Sequence, residues 1–190
     1  MKTKIMLVLV VVMCVYVTSA QSKEKSRFRF GSQNYAGILE GENGTSFQLH
    51  TVNGIRYHGW FTGVGTGLDY YYERTIPLFL SVNKTLPLQR VPLFVNGDIG
   101  VNFPWAKNNV YLFEGTGEYR PSLYWSGGLG YKFRFKQSQR GILLNLGYSY
   151  KHLIQENEVT FPCFNPPCPV DKERFDYRLK RVSVKLGVEF

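Results

Sequence analysis

Three histidines, His50, His58 and His152, and serines such as Ser46, Ser126 and Ser149 are the residue types from which an acyl-transfer base and nucleophile are built. Such a pair works only within hydrogen-bond reach, with a third group orienting the base. No local motif joins these residues. A second candidate is the run Phe161-Pro162-Cys163-Phe164-Asn165-Pro166-Pro167-Cys168-Pro169. Zinc usually takes four ligands, and only His152 stands near these cysteines in sequence. Cys163 and Cys168 therefore read as a local disulfide held in a proline-stiffened loop tip. The third group is ionic: Asp69, Asp98, Lys132, Arg134, Lys185 and Glu189 either line a path for small solutes or pair in a packed polar interior. Catalytic, cofactor and metal residues are all assigned as none.

Which of these readings holds depends on the elements that carry the residues, and first on the compartment. Lys2 and Lys4 precede the apolar run Ile5 to Val17, and Thr18-Ser19-Ala20 stands before a change to polar residues at Gln21. This is the pattern of a secretory signal peptide over residues 1–20, cut after Ala20. The run is shorter than the roughly 20 residues that a helix needs to cross a bilayer. Met13 before Cys14, with more apolar residues following, argues against a lipid anchor. Export places Cys163 and Cys168 where disulfides persist. The chain is basic, with formal charge +9, and an exported protein directs that charge to anionic lipid rather than nucleic acid.

After Ala20 every apolar run is broken by Gly, Asn, Ser or charge, yet 16% of the residues are aromatic and 19 are glycine. The patterning has period two, the strand period. It is clearest at the end, where Val182, Val184, Leu186, Val188 and Phe190 alternate with Ser183, Lys185, Gly187 and Glu189. Working backwards, apolar faces recur at Ile142 to Tyr150, Leu123 to Phe135, Val91 to Phe103, Ile76 to Val82 and Trp60 to Tyr72. Two less regular segments, Thr45 to Tyr57 and Phe28 to Glu40, complete the set. Gly41-Glu42-Asn43-Gly44 reads as the turn between them, and Asn53-Gly54 as in-strand.

The expectation is an all-β protein: a transmembrane antiparallel up-and-down β-barrel of about eight strands. The barrel occupies residues 28–190, after a short periplasmic segment at 21–27. Connections expected in the periplasm are short, at 57–59, 83–89 and 136–141. The two longest, 104–121 and 153–175, fall outside, and both termini return to the periplasm, as this class requires. Trp60, Phe133, Phe135 and Phe190 form one aromatic girdle; Tyr70, Tyr72, Phe103, Trp125, Tyr148 and Tyr150 form the other. Lys23, Lys25, Arg27, Arg56, Lys84, Arg90, Lys136 and Arg140 gather at the periplasmic end. Lys151, Arg178, Lys180 and Arg181 lie toward the outer leaflet, facing lipopolysaccharide phosphates. A soluble carrier barrel would need the opposite faces, apolar within and polar outside.

Four stretches carry a family likeness: Gly63-Val64-Gly65-Thr66-Gly67-Leu68-Asp69-Tyr70-Tyr71, Gly127-Gly128-Leu129-Gly130-Tyr131-Lys132-Phe133, Leu146-Gly147-Tyr148 and Leu186-Gly187-Val188-Glu189-Phe190. On these the chain resembles the small OmpX-like or OmpA-like outer-membrane barrel domains of Gram-negative bacteria, particularly those of Bacteroidetes. The resemblance implies an outer-membrane address. It also implies that Val182, Val184, Leu186, Val188 and Phe190 act as the signal read by the barrel-assembly machinery. Partners are then outer-membrane lipids and lipopolysaccharide, with an envelope protein or extracellular ligand at the loops. The expected function is a non-enzymatic barrel displaying loops for envelope integrity, adhesion or partner binding. The alternatives are an outer-leaflet lipid-modifying enzyme similar to lipid A deacylases and a component of a secretion or assembly complex.

Overall fold

A computed structural model describes residues 28–190 apart from 43, 72, 87, 89, 90, 106–109, 113–114, 136–139 and 161–169. The expected signal peptide, the segment 21–27, Cys163 and Cys168 lie outside the described residues. So do Tyr72, Arg90 and Lys136.

Ten strands follow one another: β1 (Arg29–Gly41), β2 (Gly44–Tyr57), β3 (Trp60–Tyr70), β4 (Arg74–Thr85), β5 (Leu93–Pro104), β6 (Val110–Leu112), β7 (Gly115–Arg120), β8 (Ser122–Arg134), β9 (Gly141–Thr160) and β10 (Val170–Glu189). Eight of them close a ring in the order β1-β2-β3-β4-β5-β8-β9-β10, each antiparallel to its neighbours. Closure is made by β10 against β1, from Glu189 opposite Gln33 to Val182 opposite Glu40. The terminal Phe190 extends it by exchanging two backbone bonds with Ser32, at 2.9 and 3.2 Å. A closed ring satisfies every backbone donor and acceptor without a free edge, the condition for a sheet in hydrocarbon.

Alternation along the strands sorts the side chains as expected. Leu80, Ile99, Leu129, Leu146 and Leu186 stand outward, all 58–60% exposed. Asp69, Asn102, Asn145, Ser149 and Lys185 stand inward and are buried. The faces are thus those of a membrane barrel and the reverse of a soluble carrier. Turn chemistry fits as well: His58 and Gly59 both have positive φ, at 45° and 81°, which suits the two-residue hairpin between β2 and β3. Gly44 supplies φ 92° after the first turn, while Asn53-Gly54 lies inside β2.

Inside, four glycines receive a ring from the residue directly opposite. Tyr35 covers Gly187, His50 covers Gly67, Phe79 covers Gly65 and Phe94 covers Gly130. A Cβ at Gly130 would stand 2.1 Å from Phe94 Cζ, and one at Gly65 2.3 Å from Phe79 Cε2. These glycines exist to let large rings lie flat in a narrow bore.

The two long outer connections differ from expectation. A transmembrane strand needs about 9–11 residues, but β9 and β10 have 20 each and pair from Gly141–Glu189 to Thr160–Val170. Residues 153–160 and 170–175 are therefore strand, not loop. Within the other connection β7 pairs with β9 from Arg120–Ile154 to Gly115–Val159, and β6 pairs with β7. A four-stranded sheet, β10-β9-β7-β6, thus rises beyond the ring. On β9 its two faces are Leu153, Gln155 and Asn157, which are buried, and Ile154, Glu156 and Glu158, so polar residues occupy both and the period-two signal is faint.

Candidate functional site

The barrel's interior gathers its ionisable residues into three levels. Toward the end from which the long strands project, Asp69, fully buried on β3, lies between two partners. His50 Nε2 of β2 is 2.6 Å from its Oδ1, and Lys151 Nζ of β9 is 3.0 Å from its Oδ2. Lys151 Nζ also donates to Thr75 Oγ1 at 2.6 Å and stands 4.1 Å over the Tyr71 ring. Arg181 shares that ring's other approaches: its guanidinium donates to the carbonyls of Gly44 (2.6 Å) and Tyr71 (2.7 Å) and to Ser46 Oγ (2.9 Å). The Tyr71 hydroxyl donates in turn to Ser149. Carbonyl dipoles and a ring face, rather than a carboxylate, therefore receive the Arg181 charge.

At mid-height Asp98 accepts from Ser81 Oγ and Ser126 Oγ, each at 2.6 Å, with Lys185 Nζ 3.9 Å away. The rings of Phe79 and Tyr124 pack beside it with Val52 and Phe61. At the mouth where the chain ends, Glu189 pairs with both Arg56 and Lys132, and Gln33 reaches it while accepting from Asn83 at 2.7 Å. A void bounded by Tyr35, His50, Phe79, Asp98 and Lys185, among others, measures about 10 Å³, about the least that holds one water. The interior is a packed polar core, as an eight-stranded bore permits.

Of the ionic residues read from sequence, Asp69, Asp98, Lys132, Lys185 and Glu189 do enter this core. Arg134 does not: it ends β8 at the mouth and is exposed. Lys151 and Arg181 correct the reading in the other direction. Expected at the outer leaflet, they are 0% and 3% exposed and face inward. Arg56, expected among the periplasmic surface cations, turns into the mouth toward Glu189. Arg178 and Lys180 remain outward and exposed. Sequence reading missed the joining of His50 to Asp69 and Lys151. The available signal was that all three share the inward parity of their strands.

The acyl-transfer constellation is not assembled. Ser46 is engaged by Arg181 and the Tyr71 carbonyl, Ser126 by Asp98 and Ser149 by Tyr71. His152 instead faces outward, its Nε2 3.2 Å from Asp176 Oδ1, and His58 occupies the β2–β3 turn at the opposite end. No group of three or more His, Cys, Asp or Glu poised for a metal occurs among the described residues.

The projecting sheet carries cross-strand ion pairs on its outer face: Arg120 with Glu156, and Lys172 Nζ with Glu158 at 2.6 Å. The hydrogen bond to Glu158 lifts the Lys172 ammonium above the ordinary lysine range. From Val170 to Arg181, β10 has only β9 as a partner among the described residues. This open edge carries Asp171, Lys172, Glu173, Arg174, Asp176, Arg178 and Lys180, the charge pattern that discourages strand addition.

Two of the solved structures similar to the chain are outer-membrane proteins. The crystal structure of Neisserial surface protein A is 12% identical, with a TM-score of 0.46, covering 86% of this chain and 96% of that one. The solid-state NMR structure of outer membrane protein AlkL in lipid bilayers is 13% identical, with a TM-score of 0.41, covering 90% and 93%. No protein-family model matches the chain, and no curated protein does.

Proposed function

We propose that this protein is a non-enzymatic integral outer-membrane barrel whose sealed wall carries a rigid extracellular sheet for contact with the environment or another envelope protein. The observation that carries the reading is the inversion of faces: apolar side chains outward on all eight ring strands, and paired charges within. A polar packed core inside an apolar wall has no role in water and a clear one in a bilayer. The termini and short hairpins then face the periplasm, and the projecting β6, β7, β9 and β10 face outward. Export by the residue 1–20 signal, a Cys163–Cys168 disulfide in the stretch of sequence between β9 and β10, and recognition of Val182, Val184, Leu186, Val188 and Phe190 by the assembly machinery belong to the same reading. Arg178 and Lys180, where the sheet leaves the wall, suit lipopolysaccharide phosphates, each cation near an anionic surface adding about 1 kcal/mol.

Scaffold rigidity supports display over catalysis. Binding residues belong on segments that a firm framework positions, and here the framework strands themselves continue into the display surface. The test is the gel mobility of unboiled protein from purified outer membranes, with protease applied to intact cells. A compact species that shifts on boiling, cut only within 104–121 or 153–175, is the expected result. A protein recovered in the soluble periplasm without a heat shift overturns the proposal.

A further inference from the structure

The outward wall is apolar on every ring strand except in one place. Ser32, Asn34, Thr51, Asn53, Thr62 and Thr66 face outward together on β1, β2 and β3, because Ser32 pairs with Asn53, Asn34 with Thr51, Thr51 with Thr66 and Ile55 with Thr62. Ser32, bonded to the terminal Phe190, and Thr62, two residues from Trp60, lie toward one rim, whereas Asn34, Thr51, Asn53 and Thr66 lie between the two rims. Trp60 and Tyr70 end β3, and Val64, which pairs with Asn53, lies midway between them. Asn34 Nδ2 meets Ser32 Oγ at 3.4 Å. The side chains of Thr51, Asn53, Thr62 and Thr66 make no hydrogen bond among the described residues. An amide or hydroxyl left unbonded in an apolar medium is costly, so Thr51, Asn53 and Thr66, with Asn34 beside them, need a partner that lipid tails do not supply.

Beside the patch the wall is dented. A groove of about 590 Å³ runs along it over the outward methyl of Ala36, walled by Leu49, Leu68 and Leu186. The small Ala36 side chain leaves room there for a side chain approaching from outside.

We propose that this β1–β2–β3 face is the contact by which two copies of the protein pair within the membrane, a step that rests on the bilayer placement above. The patch holds no charge, so it does not call for a partner of opposite sign. Its hydroxyls and amides each donate and accept, which makes the patch complementary to itself across a two-fold axis, where one surface meets its own copy. The groove receives an apolar side chain flanking the polar seam of the second copy. An acyl chain would fill the groove but leave the seam unbonded.

The test uses the full chain with Cys163→Ser and Cys168→Ser, carrying Thr51→Cys or Asn53→Cys, with Ile99→Cys on the opposite wall as control. Purified outer membranes are treated with a thiol-bridging reagent, and the heat shift of each variant is confirmed first. Expected is a band of twice the monomer mass from Thr51→Cys or Asn53→Cys, about ten-fold above Ile99→Cys. Adding Asn34→Leu to the Thr51→Cys chain should weaken that band about ten-fold, as loss of hydrogen bonding at a membrane-buried interface requires. Bands no stronger than the control, or a product of another mass, overturn the self-pairing and leave the bilayer placement standing. Absence of the protein from the membrane fraction overturns both.

Discussion

His50 Nε2 stands 2.6 Å from Asp69 Oδ1 deep inside the barrel, on neighbouring strands, and the same carboxylate holds Lys151 from β9 at 3.0 Å. One carboxylate thereby fastens β2, β3 and β9 across the bore. Removing it leaves a fully buried ammonium without its counter-charge, a change that costs about 3–5 kcal/mol.

Asp69→Ala is therefore expected to lower the urea midpoint of unfolding sharply in phospholipid vesicles, followed by tryptophan fluorescence. Replacing both partners, as Asp69→Leu with Lys151→Met, should recover most of the loss, since an apolar pair of similar size leaves no orphaned charge. Equal midpoints for the single variant and the native protein would show that the pair is not what holds these strands.

The packing of Phe94 over Gly130 supports a second prediction. A methyl group at Gly130 has no room beneath the ring, and overpacking of this kind costs typically 1–3 kcal/mol. Gly130→Ala should destabilise the barrel by that amount, and Phe94→Ala should relieve it. A double-mutant cycle then gives a coupling well beyond the 0.3–0.5 kcal/mol (approximately) of independent sites; additive effects would refute the ring-on-glycine contact.

Much of this was legible in the sequence because a wall between lipid and a polar core writes period two into every strand. Val182 to Phe190 shows it without interruption, and the parity found there places Lys185 and Glu189 inside, where the structure has them. The pairing of His50 with Asp69 was legible only as shared parity, since which inward residues meet depends on strand register. Register is what decides whether Lys151 meets Asp69 across the bore. Lys151 and Arg181 were misplaced because cations near the end of a strand look like headgroup ligands until the strand is known to continue. The projecting sheet stayed hidden for a related reason: Glu156 and Glu158 alternate with Gln155 and Asn157, so β9 has no apolar stripe there, and the short Phe175-Tyr177-Leu179 stripe of β10 does not show how far the strand runs.

The closing bonds between Phe190 and Ser32 yield a third prediction. Deleting Phe190 removes these two of the backbone bonds at the seam and an aromatic side chain at that rim. Cells producing that variant should contain less of the heat-modifiable species and more unassembled chain in the periplasm, measured by fractionation and gel shift. Unchanged assembly would detach the terminal residue from any role in insertion.

A fourth concerns the filled interior. With Glu189 joined to Arg56 and Lys132 at the mouth and Asp69 joined to Lys151 above, no open path runs through the described lumen. Purified protein in planar bilayers should show no stepwise conductance at moderate voltage. Reproducible steps would require these ionic levels to part.

The last prediction separates the sheet from the ring. Gln155 pairs with Phe175 just above the wall, so replacing residues 156–174 with Asn-Gly closes β9 and β10 by a two-residue hairpin. Every pairing from Leu153–Tyr177 down to Gly141–Glu189 survives, as does β8 against β9 from Tyr124–Lys151 downward. Lost are the outer pairings of β7 with β9 and the exposed ion pairs of Arg120 with Glu156, Lys172 with Glu158 and Arg174 with Asp176, each such ion pair contributing only about 0–1 kcal/mol. The shortened protein should keep the heat shift and nearly the native unfolding midpoint while losing attachment of cells to whatever surface the full chain binds. A collapse of the barrel instead would mean that the sheet is part of the fold's stability rather than a platform built on it.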